Sequence, residues 1–402
     1  MPGAGPREAR VVLLAEAPGA DEEDAGAPLV GRSGSFLFDG DPHIAPHIWP
    51  GLKRLGLGRD VVRCENVLEI RPLENDLTTV SVASMAWWRE NYRERLAKLP
   101  AMTLLVPMGN TALNAVLNTP LRQKRKRDGG REWVWEHTIS AWRGSVNAIE
   151  VGGRRVTMLP TFHPAFFLHG GGMDFQAWRS DWAKVGEMAR EGVRVEPQLV
   201  HRIKPTREDL EALVAQVEAM WRRDGKDALL VFDIETIGPI IDCIGFCVDG
   251  ETTLTIPLLA QAWPEGSTDV RVAWKIVRAL LAHEIPKGTH FGYYDLYRLE
   301  RQKGLRVRRW WWDSFDMHHL LDPADEHSLA YCASRDLTFG YWKHESTYDK
   351  RKGKGLKRDQ RDLGRRWRYN GKDVGVTWHL IRRYQARLAQ GWPPTWEMME
   401  GV

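Results

Sequence analysis

The sequence predicts an α/β protein of two domains, a parallel-sheet unit followed by a unit with a mixed sheet. Three observations carry this. At 402 residues the chain exceeds the size at which one hydrophobic core stops growing, so two cores are expected. Through residues 10–192 short apolar runs alternate with longer amphipathic stretches, the order that parallel strands and crossover helices produce. From 207 the order changes to a helix and then three strand-like runs joined by short turns, as an antiparallel meander requires.

In the first domain, 1–192, the strand-like runs are RVVLLA (10–15), VVRCENVL (61–68), TLLVP (103–107) and VTMLP (156–160). SMAWWRENYRERLAKL (84–99) has a helical pattern. GVRVEPQLVHRIKPT (192–206) holds two prolines and no helical period, which places a linker at 193–206. In the second domain, 207–402, a helix is expected over 208–223 and strands in LLVFDIE (229–235), CIGFCV (243–248) and TTLTIPL (252–258). Asp249-Gly250 signals a two-residue hairpin. Helical patterns follow at 270–283, 294–303 and 370–388.

Composition excludes several classes. With 43% hydrophobic and 27% charged residues the chain is neither disordered nor membrane-embedded in pattern. No apolar run approaches the roughly 20 residues that span a bilayer, so no membrane partner is expected. The start MPGAGPREAR has no apolar stretch of signal-peptide length, and a cytoplasmic protein follows. Cys64, Cys243, Cys247 and Cys332 form neither a CxxC pair nor a secreted framework and read as buried free thiols.

The net charge of +4 permits nucleic acid as a partner without demanding it. Positive charge concentrates in QKRKR (123–127) and KRKGKGLKRDQRDLGRRWR (350–368), where Trp367 and Tyr369 accompany the arginines. The first run reads equally well as a solvated basic loop. Trp310, Trp311 and Trp312 could stack unpaired bases, but a buried strand packed on a helix is the favoured reading. His318, His319 and His379 read as helix-packing residues.

Asp233 and Glu235 close an apolar run, and their i, i+2 spacing on a strand points both carboxylates to one face. Asp295 stands at an expected helix start, and Tyr369 lies one helical turn before Asp373. Four carboxylates brought together repel one another unless cations neutralise them. Paired divalent ions do so, activating a water and stabilising a departing oxygen.

These residues resemble the 3′–5′ exonucleases with a DEDD metal set and a tyrosine, as in the proofreading domain of polymerase I-type (family A) DNA polymerases. The motifs are FDIET (232–236), HFGYYD (290–295) and YNGKD (369–373), with DSFDMHHLLDPADEHSL (313–329) similar to the intervening segment. The resemblance covers 207–390 and implies a ribonuclease H-like mixed sheet acting on 3′ ends of DNA. It implies two Mg²⁺ or Mn²⁺ ions on Asp233, Glu235, Asp295 and Asp373, with Tyr369 orienting or deprotonating the attacking water. Thr236, His290 and Phe291 would meet the strand, although Phe291 stands where the family usually has Asn. Such a domain commonly precedes a polymerase. Here the chain ends at Val402 soon after the third motif, so a phage or bacterial replication protein serving a separate DNA polymerase is expected.

In the first domain each apolar run is followed by a polar cluster: Glu16-Ala17-Pro18-Gly19, Asn66, Gly109-Asn110 and His163-Pro164. In a parallel sheet these ends line one crevice, where open α/β sheets bind ligands. Gly19, Gly31 and Gly34 leave backbone amides free to approach a phosphate or planar ring.

The clusters resemble uracil-DNA glycosylases, most closely the iron–sulfur type called family 4, over about residues 8–188. The segments are AEAPGADEEDAGAPLVGRSG (15–34), ENVLEIRPLEN (65–75), PMGNTAL (107–113) and RGSVNAIEVGGRRVTMLPTFHPAFFL (143–168), followed by Trp178 and Asp181. The resemblance implies an α/β/α parallel-sheet fold and a uracil flipped out of DNA. Asn66 would read the uracil edge, His163 would donate to the uracil oxygen that gains charge, and Glu22 would position water. Glu16, Ala17, Pro18, Gly19 and Leu29 would line the base site.

This chain departs from the family where Leu29 replaces the stacking aromatic, Ala15 replaces Gly, and Glu69-Ile70 replace Lys-Cys. Cys64 alone cannot supply four thiolates, so no iron–sulfur cluster is expected. Two readings stay open: a domain that excises uracil or a related base, and a non-catalytic module that recognises uracil or a modified pyrimidine for the exonuclease.

Overall fold

The computed structural model describes residues 1–40, 49–127, 129–170, 174–192, 198–259, 270–345 and 363–390. The chain divides into two compact units. The first is Met1–Val195 with Thr338–Tyr341, and the second is Glu196–Leu337 with Trp342–Val402. Most of the basic run 350–368 lies outside the described residues.

The first unit begins with β1 (Val11–Ala15), α1 (Ala20–Ala25), α2 (Arg32–Asp39), β2 (Arg63–Asn66) and α3 (Val82–Ala97). Next come β3 (Leu104–Pro107), α4 (Gly109–Val116), β4 (Gln123–Arg125), β5 (Arg131–Trp133) and α5 (Ile139–Trp142). It ends with β6 (Asn147–Val151), β7 (Arg154–Met158), α6 (Ala165–Leu168) and α7 (Phe175–Glu191). The main sheet has the order β2-β1-β3-β7-β6.

Strand β1 is buried along its whole length, and its alternating side chains feed two separate cores. Val11, Leu13 and Ala15 pack with Phe36, Trp178 and Trp182 on one face. Val12 and Leu14 pack with Met85, Tyr92 and Leu96 on the other. Helices thus cover both faces, giving the α/β/α sandwich expected.

The first sheet is nevertheless not wholly parallel, because β6 runs antiparallel to β7 with Val151 opposite Arg154. Gly152 and Gly153, at φ +57° and +74°, form the two-residue turn between them, where glycine accepts a left-handed backbone without strain.

The second unit contains β8 (Val200–Ile203), α8 (Arg207–Asp224), β9 (Leu230–Ile237), β10 (Ile240–Cys247), β11 (Thr252–Pro257) and α9 (Val270–Ala282). It continues with β12 (Lys287–Thr289), α10 (Tyr293–Lys303), β13 (Trp310–Asp313), α11 (Ser314–Leu321), α12 (Leu329–Asp336) and α13 (Leu363–Ala389). The sheet order is β13-β12-β9-β10-β11-β8. The β9–β10–β11 meander is antiparallel, and β12 pairs parallel to β9 and to β13. Counted from β9, the order 5-4-1-2-3 is the ribonuclease H-like mixed sheet expected.

Two sequence expectations are corrected here. Residues 200–203, placed in the linker, form an edge strand parallel to β11. A short polar alternation carries no strand signal of its own, and β8 exists because β11 offers an unpaired edge. The Asp249-Gly250 turn is longer than two residues, since pairing closes at Cys247 with Thr253. The Asp249 carboxylate accepts from the amides of Glu251 and Thr252, at 2.9 and 2.8 Å, and so shapes the wider turn.

Candidate functional site

In the second unit β9 turns Asp233 and Glu235 to one face while Ile234 enters the opposing core. The long helix α13 brings Tyr369 and Asp373 to the same place. Asp233, Glu235 and Asp373 each offer an oxygen within 4.8 Å of the others. Asp295, in the first turn of α10, stands outside that trio, its carboxylate accepting from the Ile234 amide at 2.8 Å. Burial raises the Asp233 carboxyl well above its ordinary range, and the charges of Asp295, Glu235 and Asp373 raise it further. Burial, then Asp373, pushes Glu235 up to about 7. Burial pushes Asp295 up to about 7, opposed by the Ile234 amide. The Tyr369 hydroxyl is raised by burial and then by Asp373, so it is a neutral phenol here. A buried, oxygen-only set whose anions disfavour one another suits a hard divalent cation.

Several partners carried no sequence signal or only a faint one. Lys343 donates to both oxygens of Asp373, at 2.9 and 2.8 Å, and to the Tyr369 hydroxyl at 2.8 Å. The Trp342 indole donates to Asp373 at 2.5 Å. Asn370 Nδ2 donates to the Asp233 carboxylate at 2.7 Å, and Gly245 makes room, since a Cβ there would lie 2.4 Å from Asn370 Oδ1. Arg366 pairs with buried Asp242 at 3.1 Å, lies 3.8 Å from Glu235, and donates to the Thr236 carbonyl. Helical spacing from Asp373 could have exposed Arg366 and Asn370. Nothing local announces Trp342 or Lys343.

The remaining second-unit residues are placed as follows. The Thr236 hydroxyl meets the Tyr294 hydroxyl at 2.9 Å. His290 bonds the Ser314 hydroxyl at 2.8 Å, and burial pushes its imidazole down to about 3. Phe291 has φ +55° and is 51% exposed, with its amide on Asp313 at 2.9 Å. The tryptophan run is an edge strand rather than a buried one: Trp311 is 46% exposed. Trp310, Trp311 and Trp312 line a cavity of about 470 Å³ with Tyr293, Asp316 and Met317. His318 is buried and bonded to His327, and His379 caps the Gly250 carbonyl at 2.8 Å.

In the first unit backbone bonds join the polar clusters in pairs. The Leu68 amide donates to the Glu16 carbonyl at 3.0 Å, and the Gly109 amide to the Thr161 carbonyl at 3.0 Å. The Thr111 hydroxyl donates to the Glu16 carboxylate, whose pKa burial raises. Pro18 is buried, Ala17 is half-buried, and Gly19 is the N-cap of α1. Asn66 is only 4% exposed, and its side-chain Nδ2 is buried with no hydrogen-bond partner. His163 Nδ1 accepts from the Ala165 amide at 3.3 Å, leaving the ring proton on Nε2. Burial pushes His163 down to about 4, so this donor is neutral.

Glu22 differs from expectation in its surroundings. Its two oxygens accept from the amides of Gly19 and Leu29, at 2.6 and 2.7 Å. Leu29, 1% exposed at φ +56°, is held in a left-handed backbone by this bond and by Arg59 on its carbonyl. Gly34 makes room for that packing, since a Cβ there would lie 1.6 Å from the Leu29 carbonyl oxygen. Asp181 is buried and accepts from Arg143 and, at 2.8 Å, from Thr161.

By fold and site, the chain joins an α/β unit with polar residues gathered at its strand ends to a unit with a cluster of acidic side chains. Residues 2–185 match the uracil DNA glycosylase superfamily, so the N-terminal half carries a domain of that superfamily. It is 29% identical over 189 residues to the type-4 uracil-DNA glycosylase of Archaeoglobus fulgidus, covering 47% of this chain and 81% of that protein. The type-4 enzyme of Thermotoga maritima is 28% identical over 169 residues, covering 41% and 70%.

Solved structures similar to the C-terminal half include Escherichia coli RNase D and Brucella melitensis NrnC with bound Mg²⁺. For RNase D the TM-score is 0.34 at 20% identity, covering 49% of this chain and 48% of that one, so this chain spans about half its length. For NrnC the TM-score is 0.28 at 17% identity, covering 47% and 80%. No described helix is long and apolar enough to cross a membrane.

Proposed function

We propose that the second unit is a metal-dependent 3′–5′ DNA exonuclease and that the first unit engages uracil, or a related base, in DNA. The exonuclease reading rests on the convergence of Asp233, Glu235 and Asp373 beside Tyr369. Two Mg²⁺ or Mn²⁺ ions held there, with Asp295 as the fourth carboxylate, would polarise the attacking water and neutralise the departing oxygen. Asn370 fixes the rotamer of Asp233, and Arg366 fixes the strand end that carries Glu235. Tyr369, as a neutral phenol, orients the water by accepting or donating one hydrogen bond. Asp373→Ala and Asp233→Ala are expected to abolish Mg²⁺-dependent release of nucleotides from the labelled 3′ end. Persistent release by either variant, or a preference for RNA over DNA of the same sequence, overturns the reading.

The unpartnered amide of Asn66 carries the reading of the first unit, because a buried donor without an acceptor is costly unless a ligand supplies one. A uracil carbonyl is such an acceptor, and neutral His163 offers a second donor to the leaving base. In an Asp373→Ala background, a uracil-containing oligonucleotide is expected to acquire an alkali-labile abasic site. That product should vanish in the Asn66→Ala, His163→Ala double variant. One observation favours a reader without catalysis: both oxygens of Glu22 already hold the loop backbone. Uracil-selective binding with no abasic product decides for the reader.

A further inference from the structure

Building on the reading of the first unit as DNA-binding, we propose that the β4–β5 hairpin is a clamp for the DNA phosphate backbone beside the base crevice. Residues 122–131 hold six basic residues and one acidic residue, more net positive charge than the +4 of the whole chain. Arg122, Lys124, Arg125, Lys126, Arg127 and Arg131 are all exposed. Among the described residues, the cross-strand ion pair is that of Lys124 with Glu132. Arg125 stands directly opposite Arg131. Like charges facing each other across a strand pair destabilise it, so folding gives no reason for this pair, and a polyanion does.

The foot of the hairpin is rigid where its tip is charged. Trp133 is 9% exposed, stacks on Trp135 at 5.7 Å, and donates its indole N–H to the Leu77 carbonyl at 3.0 Å. Gln123 donates to the Val80 carbonyl at 3.0 Å. The chain leaving the hairpin is bolted to α4, with Asn114 donating to the His137 carbonyl at 2.7 Å and the Ile139 amide donating to Asn110 at 2.7 Å. Asn110 belongs to the crevice rim, and Leu77 and Val80 follow Asn66 along the chain. The cations are therefore anchored to the connections that carry two of the four crevice clusters.

The test uses full-length protein carrying Asp373→Ala, so that DNA survives. Binding of a fluorescein-labelled duplex with a central uracil, or thymine, is followed by anisotropy from 50 to 300 mM KCl. The Arg125→Gln, Lys126→Gln, Arg127→Gln triple variant is expected to lower the log–log salt slope by about 2–3, as each lost duplex phosphate contact removes about 0.9. The uracil-to-thymine affinity ratio should hold. An unchanged slope overturns the clamp. A lowered slope with no uracil preference in either protein supports the clamp while removing the base-reading role.

Arg131→Glu separates function from folding, because it creates an opposite-charge pair with Arg125. It should keep or raise the Tm while weakening DNA binding. A lowered Tm with unchanged binding overturns the proposal.

Discussion

The ammonium of Lys343 grips Asp373 by both carboxylate oxygens, at 2.9 and 2.8 Å, where a metal-binding carboxylate needs its lone pairs. The same nitrogen lies 4.7 Å from the centre of the Tyr369 ring, so one cation addresses both α13 residues of the site. Any divalent ion approaching Asp373 must share or displace it.

Lys343→Met is therefore expected to tighten Mn²⁺ binding. The gain should be about threefold to tenfold, the scale of a part-buried ion pair worth about 1 kcal/mol. Isothermal titration reads it directly, and weaker binding would mean that Lys343 assists the ion instead.

Acid should destabilise the protein through His163. Its folded pKa of about 4 lies below the ordinary 6.5, so the unfolded chain binds more protons between those values. Its contribution is complete above pH 6.5 and is lost as pH falls toward 4. The slope of unfolding free energy against pH should shrink by up to one proton in His163→Gln. Equal slopes would contradict the burial argument.

Asn66→Ala should uncouple stability from recognition. Removing a buried donor that has no partner relieves an unfavourable desolvation, offset by a small cavity, so stability should stay within about 1 kcal/mol of the parent. Uracil-specific binding should fall tenfold or more. A large loss of Tm would show that the amide has a structural partner in solution.

Gly34→Ala should cost stability on the order of 2–4 kcal/mol, since its new methyl would collide with backbone that Glu22 and Arg59 already fix. Chemical denaturation measures this. A neutral result would mean that the left-handed Leu29 relaxes freely.

The sequence and structure agree where periodicity is strong. Val11–Ala15 falls within the apolar run 10–15 that predicts a strand of a parallel sheet, and it is a buried strand paired parallel to β2 and β3. Asp233 and Glu235 shared a face by strand alternation, and Tyr369 and Asp373 by helical spacing, so most of the carboxylate cluster was legible. What could not be read depends on contacts far apart in the chain. β8 takes its strand state from β11, Lys343 meets Asp373 across 30 residues, and the bonds from the Gly19 and Leu29 amides to Glu22 have no sequence signal. The exposed edge position of the tryptophan run likewise depends on β13 being the last strand of its sheet among the described residues.

The bonds from Gly19 and Leu29 to Glu22 close the 19–29 loop before any base arrives. Ordering that loop is thus a cost of folding and not of association. On the proposed reading, a flipped base would meet a wall already formed at residues 19–29, and selection between bases would fall to shape and hydrogen-bond complementarity there.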